Sequence, residues 1–252
     1  MIEIARISKR YQDKAVVENV SFSLPTEKII AFIGSNGAGK STILSIISRL
    51  IAASEGMVRI DGTELPRWDT RELSKRLAVL SQSTHFNLRL TVEDLVRFGR
   101  FPHSKGRITE EDLHIVDQAL EYTGLSDLRG RFIDELSGGQ RQTAYIAMAI
   151  AQDTKYILLD EPLNNLDMSR SAKVMHLLRR LVGEKRKTVI IVIHDINFVS
   201  FHADYVVALK HGKLRHLGPV QDIIRTDVLK DIYDMDIAVE TYNGKPICIY
   251  YE

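Results

Sequence analysis

The stretch from Gly34 to Thr42 reads GSNGAGKST and is built to hold phosphate. Gly34, Gly37 and Gly39 permit positive φ, so Ser35, Asn36 and Ala38 can turn their N–H groups inward with those of the glycines. Such N–H groups form an anion-binding concavity, and a helix N-terminus behind them adds partial positive charge. Lys40 then reaches the outer phosphates as a point charge. The Ser41 hydroxyl is a ligand for Mg²⁺, and Thr42 a hydrogen-bond donor to a phosphate nearer the sugar. By composition alone the pattern G-x-x-x-x-G-K-[ST] arises in roughly one chain in a hundred of this length. Here an apolar run, 29–33, leads in and another, 43–47, leads out, as strand–loop–helix requires.

Two more segments carry chemistry. Tyr156-Ile157-Leu158-Leu159 is a buried-type strand that ends at Asp160-Glu161. Asp160 can hold Mg²⁺ through water, and Glu161 can polarise an attacking water as a general base. Leu136-Ser137-Gly138-Gly139-Gln140 opens an apolar helix. Ser137 caps it, and the two glycines expose its first N–H groups, which makes a second anion-binding helix end. Gln82 leaves the core strand 77–80 with an amide that can serve a metal or a water. His194 ends the apolar run 189–193, where an open α/β sheet has its ligand crevice. The other histidines read as ordinary surface or core residues. Tyr11, upstream of the glycine loop, is either an adenine-stacking ring or a half-buried sheet residue.

The elements that position these groups follow from pattern. Residues 1–32 alternate as strands; 56–62 is a strand closing on an Asp-Gly turn; 70–76 is a short charged helix. From Thr91 the pattern is helical. Thr91 before Glu93-Asp94 and Thr109 before Glu110-Glu111-Asp112 read as capped helix starts. Between them, 98–107 reads as a basic, aromatic loop, either merely exposed or a docking surface in which Arg100 and His103 take part. Helix 169–183, strands 189–193, 204–209 and 213–216, short helices and a hairpin around Asn243-Gly244 complete the chain.

Bulk numbers narrow the function. The chain has 252 residues, 34 basic and 33 acidic, for a net charge of +1, so no nucleic-acid partner is expected. Its one cysteine, Cys248, can make neither an internal disulfide nor a multi-cysteine zinc site. MIEIARISKRY lacks the layout of a signal peptide, and no apolar run approaches the ~20 residues that span a bilayer.

Taken together these motifs resemble the ATP-binding subunit of ABC transporters over essentially the whole chain. GSNGAGKST matches Walker A, Gln82 the Q-loop, LSGGQ the signature, YILLDEP Walker B with its catalytic glutamate at Glu161, Asp167 the D-loop, His194 the switch histidine and Tyr11 the adenine-stacking aromatic. The resemblance implies an α/β fold: a RecA-like P-loop NTPase core with an antiparallel β subdomain and an inserted helical subdomain. It implies one ABC ATPase domain, with the core at about 1–84 and 156–217, the helical subdomain at about 85–155 and a C-terminal extension at about 218–252. It implies ATP and Mg²⁺ as cofactors, with Ser41, Gln82 and Asp160 on the metal and Glu161, His194 and Gln82 in catalysis. It also implies a head-to-tail dimer in which ATP lies between residues 34–42 of one copy and Ser137, Gly138, Gly139 and Gln140 of the other.

TVEDLVRFGRFPH, the spacing to ITEED and the short C-terminal extension are similar to bacterial importers of iron–siderophore complexes, haem and cobalamin. That similarity implies peripheral attachment to transmembrane permease subunits at the cytoplasmic face, with a siderophore-binding protein as an indirect partner. Rival readings are another transporter's ATPase or a non-transport ABC ATPase such as a cluster-assembly factor.

Overall fold

The computed structural model describes residues 1–81, 89–104, 106–164 and 166–250. Alternation builds the first layer. β1 (Ile2–Tyr11) buries Ile2, Ile4 and Ile7, and β2 (Lys14–Leu24) buries Val17, Val20, Phe22 and Leu24. The steps from Ile4 to Ile7 and from Val17 to Val20 are odd and would put the second residue of each pair on the wrong face. A register shift lies at each step, with Arg6 at φ +53° and Asn19 at φ +49°, and both apolar faces stay inward. β1 also pairs antiparallel with β4 (Glu55–Ile60), and β4 with β5 (Thr63–Glu64), giving the order β2-β1-β4-β5.

The second sheet carries the site. β3 (Ile29–Ile33), β6 (Leu77–Leu80), β7 (Tyr156–Asp160), β8 (Thr188–Val192), β9 (Tyr205–Lys210) and β10 (Lys213–Pro219) lie in the order β10-β9-β3-β8-β7-β6. Every neighbouring pair is parallel except β9–β10. The central strands are apolar on both faces because both faces are covered. Ile30 and Phe32 point to a core shared with the antiparallel sheet and α1 (Lys40–Ile47); Phe32 meets Phe22 edge-on at 5.9 Å. Ile29, Ala31 and Ile33 point to the opposite core.

That opposite core is walled by helices. α2 (Thr70–Ser74) precedes β6. α3 (Val92–Phe98), α4 (Phe101–Ser104), α5 (Glu110–Thr123) and α6 (Gly138–Ala151) lie between β6 and β7, with α3, α5 and α6 packed together. α7 (Met168–Lys185), α8 (Ile196–His202), α9 (Val220–Ile223) and α10 (Thr226–Tyr233) follow, then the hairpin of β11 (Ala238–Tyr242) and β12 (Lys245–Ile249). Thr91 and Thr109 form capping boxes with Asp94 and Asp112, as their spacing predicts. Asn243 and Gly244 both have positive φ, as a two-residue hairpin turn requires.

The basic segment 98–107 differs from its sequence reading as an exposed loop. It contains the end of α3 and all of α4, and Arg100 is only 5% exposed. Arg100 Nε donates to Asp112 Oδ1 at 2.9 Å, and Nη1 to the carbonyl oxygen of Ala151 at 2.8 Å. His103 Nε2 lies 3.0 Å from the carbonyl oxygen of Gln152. Close approach makes this possible: a Cβ on Gly99 would stand 2.2 Å from the carbonyl oxygen of Met148. Arg100 and His103 therefore tie α4 to α5 and α6, while Phe98, Phe101 and Ile108 are exposed apolar side chains and Arg107 is an exposed basic one.

Arg100→Met would leave the Asp112 carboxylate buried without its cation. It should lower the unfolding free energy by about 3–5 kcal/mol in a urea titration at pH 7. Burial works against the Asp112 carboxylate, but hydrogen bonds from Thr109 and Arg100 hold its pKa below the ordinary value. The stabilisation is therefore complete above the unfolded value of about 3.9 and disappears as pH falls through the lower folded value. The gap between wild type and variant should shrink below about pH 4; equal stability at pH 7 would contradict the assignment.

Candidate functional site

Three neighbouring parallel strands, β3, β8 and β7, deliver their C-terminal ends to one edge of the sheet. β3 runs into the glycine loop. Gly34, Gly37 and Gly39 have φ of +134°, +76° and +98°, the positive values expected from sequence. Two of these positions are also sterically closed: a Cβ on Gly34 would lie 2.0 Å from the carbonyl oxygen of Leu209, and one on Gly39 3.0 Å from that of Val16. Ala38 is buried and its N–H donates to the carbonyl oxygen of Ser35 at 3.1 Å, while Ser35 and Asn36 face solvent.

Lys40 is 5% exposed. Its ammonium donates to the carbonyl oxygens of Gly34 at 2.7 Å and Ser35 at 3.0 Å. Burial lowers its pKa, while the negative charges of Glu161 and Asp160 work against that shift. One residue on, Ser41 Oγ donates to Asp160 Oδ1 at 2.8 Å. Burial raises the Asp160 carboxyl; the Ser41 hydrogen bond opposes this and the Glu161 charge adds to it. Thr42 follows in the first turn of α1 and is partly buried.

Glu161 leaves β7 with φ +52°, in a region that costs a non-glycine residue about 1–3 kcal/mol. The turn is held by its N–H on the carbonyl oxygen of Val192 at 3.2 Å. Its carboxylate is gripped on both oxygens: His194 Nε2 lies 2.7 Å from Oε1, and Asn164 Nδ2 donates to Oε2 at 2.5 Å. Glu161, Asn164 and His194 line a cavity of about 230 Å³ with Leu163 and Met168.

The structure brings Lys40, Ser41, Asp160, Glu161 and His194 to one place, as their sequence positions predict. Others stand apart. Ser137 Oγ accepts from the Gln140 N–H and Gln140 Oε1 from the Ser137 N–H, so the cap of α6 is reciprocal. But α6 packs on α3, α5 and β6, whereas α1 packs on β2 and β7; the two anion-binding helix ends belong to different parts of the chain. Asp167 caps α7 by accepting the Arg170 N–H at 2.8 Å. Tyr11 ends β1, 49% exposed, with the Lys9 ammonium 5.0 Å from its ring centre. Gln82 lies outside the described residues.

Three residues of this region were not anticipated. Asn164 stands three residues after Glu161, and a turn at PLNN was its available signal. Arg170, three residues after Asp167, meets it across one helical turn, Nε to Oδ2 at 3.3 Å. Tyr233 of α10 gives no sequence signal: its phenol oxygen accepts a backbone hydrogen bond from Gly34, and burial pushes its pKa up to about 12.

Comparison with known proteins agrees with this geometry. A family profile described as "ABC transporter" matches residues 17–164. The petrobactin import ATP-binding protein YclP of Bacillus subtilis (strain 168) is 53% identical over 251 residues, covering 100% of both chains. The ferric enterobactin transport ATP-binding protein FepC of Escherichia coli (strain K12) is 37% identical over 95% of this chain and 90% of its own. Among solved structures, an inward-facing metal-chelate type ABC transporter superposes with a TM-score of 0.84 at 26% identity, covering 99% of this chain and 98% of that one. A dimeric bacterial ABC transporter cassette does so with a TM-score of 0.78 at 29% identity, covering 87% and 99%.

Gly34→Ala tests the loop directly, since the new Cβ meets backbone rather than a movable side chain. ATP affinity in a fluorescent-nucleotide titration should fall about 5- to 150-fold, the equivalent of about one to three kcal/mol of backbone strain. Affinity within twofold of wild type would contradict the closed geometry at that position.

Proposed function

The chain belongs to the ABC transporter family as an ATP-binding subunit that hydrolyses ATP to power transport, and on that premise we propose that it drives uptake of an iron(III)–siderophore complex. The observation that carries the cargo class is similarity along the full length to petrobactin, hydroxamate and enterobactin import ATPases.

The chemistry follows from the strand-end cluster. ATP entering the glycine loop offers Lys40 phosphate oxygens in place of the two carbonyls it now holds. Tyr11, exposed at the end of β1, stacks on the adenine. Ser41 and Asp160 are hard oxygen donors already in hydrogen-bond contact, a pairing that would suit Mg²⁺, with Gln82 as a further residue that would hold it. When bound, the ion would neutralise phosphate charge. Glu161 is the general base; His194 and Asn164 fix the direction of its carboxylate, and the assignment of His194 to a hydrogen bond with the terminal phosphate is supported by its contact with that base.

The core comprises about 1–84 and 156–217, the helical subdomain about 85–155 and the extension about 218–252. Two copies pair head-to-tail, and Ser137, Gly138, Gly139 and Gln140 of one close on the nucleotide of the other. Support comes from the separate placement of the two anion-binding helix ends, and from relatives solved as dimeric cassettes, one of them with ADP and Pi. Asp167 and the 85% exposed Met168 lie on the face that meets the second copy.

The permease docks on the groove of about 290 Å³ lined by Phe98, Phe101 and Ile108 with Arg97 beside them, and these side chains take the place of Arg100 and His103 in the docking surface. No described helix is long and apolar enough to cross a membrane. Attachment to the cytoplasmic face therefore runs through the permease, and the siderophore-binding protein is reached only through it.

Deleting the chain should abolish cellular uptake of one class of ferric siderophore, and wild type should restore it. Glu161→Gln should not: its ATP turnover should fall about 10²–10⁴-fold while ATP-trapped dimers accumulate. Unchanged uptake across a panel of chelates would refute the cargo assignment, and wild-type turnover in Glu161→Gln would refute the general base. Phe98→Glu with Phe101→Glu should reduce uptake more than it reduces ATPase rate in solution; normal uptake would remove the docking assignment.

A further inference from the structure

The hairpin of β11 and β12 is fastened to α8 along one edge. β11 is almost wholly exposed, and two antiparallel strands alone are marginally stable in water. In such a pair alternate residues turn their backbone polar groups outward, and Pro246 and Cys248 do so in β12. α8 satisfies that free edge. Asn197 Oδ1 accepts the Cys248 N–H at 2.8 Å, and Asn197 Nδ2 donates to the Cys248 carbonyl oxygen at 3.1 Å. One side-chain amide thus pairs with Cys248 as a neighbouring strand would. Ser200 Oγ donates to the carbonyl oxygen of Pro246, which has no N–H to leave unpaired. The same Asn197 also reaches toward the strand-end cluster. Only residues 193–195 separate β8 from α8, and His194 is the middle one. Asp195 caps α8 by accepting the N–H groups of Asn197 at 2.8 Å and Phe198 at 3.2 Å, while the Ile193 N–H is held by the carbonyl oxygen of Phe32. β3 therefore fixes one side of His194 and the start of α8 fixes the other. Asn197 carries the cap with its backbone and the hairpin with its side chain.

We propose that Asn197 is a positioning residue for ATP hydrolysis: by pairing with the β12 edge it fixes the start of α8, and so sets the distance of His194 from the Glu161 carboxylate. The proposal rests on the reading of Glu161 as the general base. His194 Nε2 stands 2.7 Å from Glu161 Oε1, and a displacement of about 1 Å carries it beyond hydrogen-bond reach. Phe198, the next residue of α8, lines the cavity that holds both groups, so the same displacement reshapes it. No described residue of the hairpin lines that cavity, and its influence runs through α8. The glycine loop, by contrast, hangs on β3 and α1, which Asn197 does not hold in place. Asn197 therefore acts on turnover and leaves the grip on phosphate alone.

The test uses the full chain and measures ATP affinity by fluorescent-nucleotide titration and kcat by phosphate release, at a temperature where each variant is folded by circular dichroism. Asn197→Ala should lower kcat about ten- to hundredfold, as a misplacement of about 1 Å does, and leave the ATP Kd within about twofold of wild type. Ser200→Ala is the control. It also loosens α8 from β12, but one turn farther from His194, so it should lower the melting temperature and keep kcat. Asn197→Gln carries the same amide on a longer arm; it should fold and still turn over more slowly than wild type, and it decides the matter where Asn197→Ala does not fold. A kcat within about twofold of wild type in the deciding variant overturns the proposal. So does a loss of ATP affinity in step with turnover, or an equal loss of kcat in Ser200→Ala, since either marks a merely structural role. Wild-type kcat in Glu161→Gln removes the general base on which the proposal rests, and is a distinct result.

Discussion

The burial of one ammonium group governs the architecture around it. Lys40 is removed from water, which by itself disfavours its charge, and the surroundings must restore what hydration supplied. Two carbonyl oxygens do so directly, and they point at the ammonium because the loop backbone takes conformations that only glycine adopts without strain. Two carboxylates do so through space, and they are present because β7 lies one strand beyond β8 and ends at the same edge as β3. The parallel order of the sheet is thus what lets one cation be solvated by residues far apart in sequence. Phosphate oxygens of a nucleotide are a better ligand of the same kind.

Local strain near this cation has a definite support. Glu161 holds a left-handed backbone conformation, which a strand-ending hydrogen bond to Val192 and two side-chain contacts on its carboxylate sustain. Two adjacent acids then take different surroundings, one buried beside Ser41 and the other gripped by His194 and Asn164. Their separate proposed tasks, metal binding and base catalysis, rest on this division.

Much of this was legible in residue order, and the failures have a common cause. Glycine spacing, apolar runs and threonine caps are local signals, and the loop, the parallel strands and the helix starts follow them closely. Basic residues beside Gly and Pro suggest, for Arg100 and His103, an exposed loop or a docking surface. The burial of Arg100 and the anchoring of His103 depend on Asp112 and on carbonyls at the end of α6, contacts that no local pattern reveals. By sequence Asp112 is an ordinary first-turn acid. Tyr233 reaches Gly34 from the far end of the chain for the same reason. The bulges in β1 and β2 were hidden in plain alternation, because an odd step between buried residues is visible only when the register is known.

β3 sends Ile30 and Phe32 into one core and Ile29, Ala31 and Ile33 into the other. The strand that feeds the glycine loop is therefore the seam between two hydrophobic bodies, and neither can melt without loosening it. Ligand bound at its end is consequently linked to the cooperativity of the whole chain. At a hundredfold excess over its dissociation constant such a ligand adds about 2.7 kcal/mol to the folded state, shared by both cores. Nucleotide thus serves this fold as a structural brace as well as a fuel, and starvation for it would lower the chain's resistance to proteolysis along with its capacity for transport.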